Sequence, residues 1–353
     1  MSQRPEIKEV IVVGATGAVG REFLSVLGDR GHSRRRIRAT ASKDSIGLRL
    51  ACGATELTVE DFDALEPGPR SLLLLATDSA MSRAIAAKAL PRGARVIDNS
   101  SAFRSDPRVP LVIPEVNPGA LAAADQVGLI ANPNCSTILL LLPLSPIRAR
   151  FGLRFVSVST HQAVSGAGRA AMEELWSQSR DVLDGKPPVP RAFALPCAFN
   201  VFPHNSPIDP ATGANEEERK IVAESRRIWS EPDLPIETNC VRVPVLRAHS
   251  QSISFELGQP ATLPELREVL RDAPGVSLCA EGEEPPTPLA ATSKDQILVG
   301  RLRPSLASVD TGSLVDGAPR SHRRYQIWLC GDQLRKGAAL NAVQIAEACG
   351  WLR

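Results

Sequence analysis

Val10-Ile11-Val12-Val13-Gly14-Ala15-Thr16-Gly17-Ala18-Val19-Gly20 reads as a strand, a glycine turn and the first turn of a helix. Four aliphatic residues in a row suit a strand. Val19, Phe23, Val26 and Leu27 share one helical face, so a helix is expected over Val19–Leu27. Between the two, glycine permits a tight turn and a close backbone approach. The helix start then offers N–H groups and a positive dipole end to a pyrophosphate. The spacing is G-x-x-G-x-x-G rather than G-x-G-x-x-G. Its place between strand and helix therefore carries the reading more than the motif does.

Outward from this stretch the same alternation continues. Strands are expected at Ile37–Ala41, Leu72–Ala76 and Arg95–Asn99, and a helix at Ser82–Leu90. Short strands alternating with helices predict a parallel, doubly wound α/β sheet. After about residue 135 the texture changes. Phe155–Thr160, Val241–Val245 and Ser252–Leu257 alternate apolar with polar residues, and Tyr325–Leu329 does so loosely. Such strands suit an antiparallel or mixed sheet. Prolines cluster at Pro187–Pro190, Pro196–Pro210 and Pro285–Pro288, which predicts long loops in this half. A final helix is read over Arg335–Ala348. With 353 residues, two domains are expected.

Lys plus Arg is 41 against 39 for Asp plus Glu, a net charge of +2. That balance gives no reason to expect a nucleic-acid partner. The runs Leu72–Leu75 and Ile138–Leu142 fall far short of the roughly 20 apolar residues of a membrane span. The first residues lack the apolar core of an export signal, so no membrane partner and a cytoplasmic location are expected. Seven cysteines at wide spacings, with no CxxC, predict reduced thiols and no metal site.

One cysteine stands apart. Cys135 lies in Asn132-Pro133-Asn134-Cys135-Ser136-Thr137-Ile138, where Pro133 and Asn134 form a turn and Asn134 can cap the following helix. A thiol in the first turn of a helix has its thiolate stabilised by the dipole. Its polar neighbours argue against a core position. His249 is read in a polar bend between two strands, with Arg242 on the incoming strand and Gln162 at the end of another. The second strand ends in Ser42-Lys43-Asp44-Ser45, an ambiguous signal for a ribose contact. The run Arg34-Arg35-Arg36 is a solvated loop or a phosphate contact.

The Cys135 segment together with the Gly14–Gly20 loop resembles aspartate-semialdehyde dehydrogenase. So do Ser159–Gly168, Cys240–Val245 followed by His249-Ser250, Pro286–Leu289 with Val299–Arg301, and Leu334–Gln344. The resemblance implies a Rossmann-type doubly wound nucleotide domain, residues 1–134 with the helix 333–353, plus an α+β catalytic and dimerisation domain, residues 135–332. It implies a homodimer that reduces an acyl phosphate to an aldehyde in lysine (by way of diaminopimelate), threonine and methionine biosynthesis. Cys135 would be the thioacyl nucleophile, His249 the acid/base, and Gln162 the residue orienting substrate. Arg242 would take the substrate carboxylate, Arg104 and Lys220 the phosphate, and Glu217 the amine. Gly14, Thr16, Gly17, Ala18, Val19, Ser42, Ser45, Ser165, Gly166 and Gln333 would contact the cofactor. NADP is expected, with NAD admitted because Asp44 stands where the family usually has Arg. Two further departures are Ala248 in place of a usual Gly and Thr77-Asp78 in place of a Gly-rich turn. His32, His161, His204 and His322 are read as structural.

N-acetyl-γ-glutamyl-phosphate reductase shares the thiol chemistry, but its cysteine sits in Pro-Gly-Cys-Tyr-Pro. In glyceraldehyde-phosphate dehydrogenase Thr-Thr-Asn follows the cysteine. A paralogue that only binds would lack the nucleophile or the base, and both are present here.

Overall fold

The computed structural model describes residues 6–32, 35–306 and 322–352. The chain divides into two compact units, Met1–Cys135 with Gly337–Arg353, and Ser136–Lys336. The crossings thus fall after 135 and 336, where the sequence reading places them after 134 and 332. The residues just before the second crossing are tied into the second unit. Asp332 accepts from Arg247 Nε at 2.7 Å, Gln333 reaches Ser165, and Arg335 pairs with Asp295.

The first unit holds seven strands: β1 (Glu9–Val13), β2 (Arg36–Ala41), β3 (Arg49–Cys52), β4 (Thr55–Asp61), β5 (Ser71–Leu75), β6 (Arg95–Asp98) and β7 (Leu129–Ala131). They lie in the order β3-β4-β2-β1-β5-β6-β7. All pairs are parallel except the β3–β4 hairpin, which the sequence reading did not anticipate. β5 is buried at every residue, as a central parallel strand with two covered faces must be. Phe23, Leu24 and Leu27 of the helix Ala18–Asp29 share one core with Leu340, Val343 and Ile345 of the helix Leu340–Ala348. Each such side chain contributes roughly 1.5–3 kcal/mol on burial. Arg30 and His32 pair with Glu347, at 2.6 and 2.9 Å, and fasten the same two helices at their ends.

The chain order reverses between β2-β1 and β5-β6, so a crevice opens beyond the carboxyl ends of β1 and β5. Gly14 sits there with φ +80, and a Cβ on it would lie 2.4 Å from the Ala76 carbonyl oxygen. Both the left-handed backbone and the approach to the residue after β5 require glycine. The next helix, Ser79–Ala89, begins three residues before the sequence reading puts it. The Asp78 carboxylate accepts from Ala80 N and Met81 N, both at 2.9 Å, and caps it. The Thr77-Asp78 departure is therefore a capped helix start.

The second unit holds β8 (Leu153–Gln162), β9 (Phe202–Pro203), β10 (Ile236–Arg242), β11 (His249–Ala261), β12 (Val276–Leu278), β13 (Ile297–Pro304) and β14 (His322–Gly331). Their order is β12-β13-β14-β11-β8-β10-β9. The sheet is mixed: β8–β10 and β12–β13 run parallel and the other neighbours antiparallel. Along β8, Val156, Val158, Thr160 and Gln162 are buried, while Ser157, Ser159 and His161 alternate on the half-exposed face. The strand expected at Val241–Val245 ends instead at Arg242. Pro244 has no N–H to continue a ladder, and β10 takes its register from β8. The final helix also differs: Arg335–Ala339 is π-helical, and the α-helix proper is Leu340–Ala348. Among the described residues no helix is long and apolar enough to cross a membrane.

Candidate active site

Cys135 is the first residue of the helix Cys135–Phe151, whose first turn carries no acidic residue. The dipole at that end favours a thiolate. Cys135 is half-buried, whereas Cys52, Cys197, Cys240, Cys330 and Cys349 are buried. Burial pushes the Cys52, Cys197 and Cys279 thiols up, and that of Cys330 to about 11. These four are protonated at neutral pH.

The helix runs into the second unit, where Ser136 is gripped from two strands. Gln162 Nε2 donates to Ser136 Oγ at 3.0 Å, and Gln251 Nε2 donates to the Ser136 carbonyl at 2.8 Å. Gln162 Nε2 also lies 3.2 Å from Glu217 Oε1. Glu217 is buried, on the helix Glu216–Trp229, which Asn215 and Glu218 start with a reciprocal capping box. Lys220 pairs with Glu216 at 2.8 Å on the same helix, only partly exposed.

The parallel register puts Arg242 beside Gln162. Arg242 is only 2% exposed. Its Nη1 donates to the Ala163 carbonyl at 2.8 Å, its Nη2 lies 2.9 Å from His204 Nε2, and its guanidinium carbon stands 5.3 Å from the centre of the Phe193 ring. A charge this deep needs such hydrogen bonds and a ring face to offset the loss of water.

His249 opens β11 and is 0% exposed, so it does not lie in the polar bend that the sequence reading assigns it. The bend is the segment 243–248, where Ala248 takes a positive φ of 71. The Ala163 N–H donates to His249 Nδ1 at 3.0 Å. The proton of the neutral ring therefore sits on Nε2, which has no hydrogen-bond partner among the described residues. Burial, then the neighbouring charge of Arg242, holds the imidazole well below its ordinary value. One peptide, at Ala163, thus fixes both groups: its N–H sets the tautomer of His249 and its carbonyl anchors Arg242. The turn Val164–Ala167 follows, and a Cβ on Gly166 would lie 3.2 Å from His249 Nε2. Gln333 Oε1 accepts from Ala248 N at 3.0 Å, and its Nε2 donates to Ser165 Oγ. Gln333 thus braces the bend before His249.

The second unit therefore brings together Gln162, Ser165, Gly166, Glu217, Arg242, His249 and Gln333. It adds a residue read from sequence as structural, His204. No local pattern marks His204; the β9–β10 pairing alone carries it to Arg242.

The remaining candidates lie along the carboxyl edge of the first sheet. Gly17 is the N-cap of the helix Ala18–Asp29, with no capping side chain and no acid in the first turn. Gly14 and Gly17 open that helix start, with Ala18 and Val19 in its first turn, and Arg21 Nε holds the Thr16 carbonyl at 3.1 Å. Backbone N–H groups that no side chain caps suit a phosphate. After β2, Ser42 and Ser45 bracket the exposed Asp44, their hydroxyls 3.4 Å apart. Arg104 donates to the Asn99 and Asn132 carbonyls, at 2.6 and 2.9 Å, just beyond β6 and β7. Arg34 lies outside the described residues.

Fold and site together place the chain among the semialdehyde dehydrogenases. Residues 9–124 match the model for the semialdehyde dehydrogenase NAD binding domain, and residues 144–336 that for the dimerisation domain. Aspartate-semialdehyde dehydrogenase of a Synechocystis species is 41% identical, over 99% of this chain and 100% of that one. The Bacillus subtilis enzyme of the same name is 39% identical over 96% of each. Among solved structures, aspartate semialdehyde dehydrogenase II of Vibrio cholerae complexed with ASA covers 98% of both chains with a TM-score of 0.90 at 34% identity. The chain belongs to the aspartate-semialdehyde dehydrogenase family.

Proposed function

We propose that the protein reduces L-aspartyl 4-phosphate to L-aspartate 4-semialdehyde through a thioacyl intermediate on Cys135. The Cys135 thiolate attacks the acyl carbon, the bond to the phosphate oxygen breaks, and phosphate leaves with its electron pair. A nicotinamide nucleotide, when bound, supplies the hydride that reduces the thioester. The tetrahedral oxygen then collapses to the aldehyde and the thiolate departs. His249 Nε2–H is a neutral donor for that oxygen, a preorganised role in a water-excluded place. In reverse the same N–H holds the oxyanion that forms when the thiolate adds to the aldehyde. Arg242 takes the substrate carboxylate in a bidentate fork. Glu217 meets the amine, Gln162 orients the acyl group, and Arg104 and Lys220 attract phosphate.

The observation that carries this reading is the Ala163 peptide. It holds an imidazole in donor form and a buried guanidinium at one place. The test is phosphate-dependent reduction of the nucleotide by aspartate semialdehyde, in the native protein and in Cys135→Ser. Loss of turnover with nucleotide binding retained supports the covalent route, and turnover near that of the native protein refutes it.

The uncapped helix start at Gly17 fits a dinucleotide, with Gly14, Thr16, Gly17, Ala18 and Val19 at its phosphates and Ser42 and Ser45 at its ribose. Ser165, Gly166 and Gln333 take the nicotinamide. We assign NADP as the preferred nucleotide, with weakened discrimination against NAD because Asp44 opposes a 2′-phosphate. We further infer a homodimer, supported by the matched dimerisation domain; light scattering at micromolar concentration tests it.

A further inference from the structure

His204 follows the two-residue strand β9, which lies on the edge of β10 with Phe202 opposite Arg242. Its backbone N–H donates to the Cys240 carbonyl at 2.8 Å, so the ring is carried by the strand that carries Arg242. Of the ring nitrogens, Nε2 lies 2.9 Å from Arg242 Nη2, and Nδ1 lies 3.1 Å from Ser206 Oγ and 3.2 Å from Ser206 N. A guanidinium only donates, so Nε2 must present a lone pair and the ring proton sits on Nδ1, toward the serine hydroxyl. The serine N–H, at the longer distance and uncharged, is the weaker claimant on Nδ1.

We propose that His204 is a positioning residue for substrate. By accepting from Nη2 while the Ala163 carbonyl accepts from Nη1 and Phe193 covers one face, it fixes the plane in which the Arg242 fork meets a carboxylate. This rests on the reading that Arg242 binds the substrate carboxylate. The groups facing the ring suit an imidazole that stays neutral. His204 is held down at about 4, chiefly by burial and also by Arg242 and Lys220, against the opposing pull of Glu217 and Glu218. A protonated ring could not accept from Arg242.

The two nitrogens can be tested separately. His204→Gln places an acceptor oxygen near the position of Nε2. His204→Asn keeps a group near Nδ1 for Ser206 but is too short to reach Arg242. We expect His204→Asn to raise KM for aspartate semialdehyde about tenfold, the loss for a hydrogen bond to a charged group. KM for NADP and kcat should stay within about threefold, and His204→Gln should restore KM for the semialdehyde. Thermal unfolding confirms that each variant folds. If His204→Asn behaves as the native protein while His204→Gln is impaired, the ring serves only Ser206 and the proposal fails. Equal impairment of both also overturns it. Arg242→Leu, run alongside, separates the premises. If it raises KM for the semialdehyde while His204→Asn does not, the role of Arg242 stands and that of His204 falls. If it leaves that KM unchanged, both fall.

Discussion

Gly166→Ala tests the site through a single methyl group. Its Cβ would lie 3.1 Å from His249 Cε1, 3.2 Å from Nε2 and 3.4 Å from Arg242 Nη1. Carbon contacts are optimal at roughly 3.5–4.0 Å, so the imidazole must move by about half an ångström. It has little room to do so: His249 is 0% exposed and its Nδ1 is tied to Ala163 N at 3.0 Å. Overpacking of this kind costs about 1–3 kcal/mol. If the strain falls on the transition state, kcat drops by about 5–150-fold. If it falls on folding instead, Tm falls by roughly 2–4 °C per kcal/mol. We expect the kinetic outcome, because Val164 and Ser165 are buried and anchor the turn, which keeps the new methyl against the enclosed ring although Gly166 itself is exposed. Steady-state kcat and KM, with a thermal melt of the same preparation, separate the two. A kcat within twofold of the native protein, with Tm unchanged, would refute the placement of His249 Nε2 at the reacting oxygen.

Three other expectations follow from the same geometry. Iodoacetamide at neutral pH should label Cys135 first, and substrate should slow the labelling; Cys52 or Cys330 reacting as fast would contradict the burial of their thiols. His249 is held below its ordinary value in the folded chain, so the unfolded chain takes up one more proton below about pH 6.5. Its contribution to stability is therefore complete above that pH and declines on acidification, by up to about 1.4 kcal/mol per pH unit. His249→Gln should flatten the pH dependence in urea melts at about pH 7.5, 6 and 5, and an unchanged slope sinks the argument. Asp44→Arg should raise kcat/KM for NADP over NAD about fivefold or more, since one charge pair at about 4 Å in water is worth about 1 kcal/mol. No change would mean that Asp44 faces away from the ribose.

The first strand, the glycine turn and the helix after it were legible because their signals are local. Four aliphatic residues, a Gly at a left-handed turn and a 3.6-residue stripe each act within one or two helical turns of chain. Cys135 was legible for the same reason, since a helix start is written in its own flanking residues. The edges of elements were less so. The capping role of Asp78 is not evident from its own segment, and the sequence pattern places β10 too late because its register is set by β8, about 80 residues away. The environment of His249 is not readable from its neighbours because burial is a property of the assembled sheet: a polar neighbourhood in sequence becomes a fully enclosed ring where β8 and β14 flank β11. His204 left no trace in its own segment. Its partner lies 38 residues on, and only the pairing of a two-residue edge strand with β10 brings them within 2.9 Å. The sequence determined which groups were available and which local turns present them. The tertiary structure decided which nitrogen of each imidazole carries the proton, because that depends on donors and acceptors delivered from other strands.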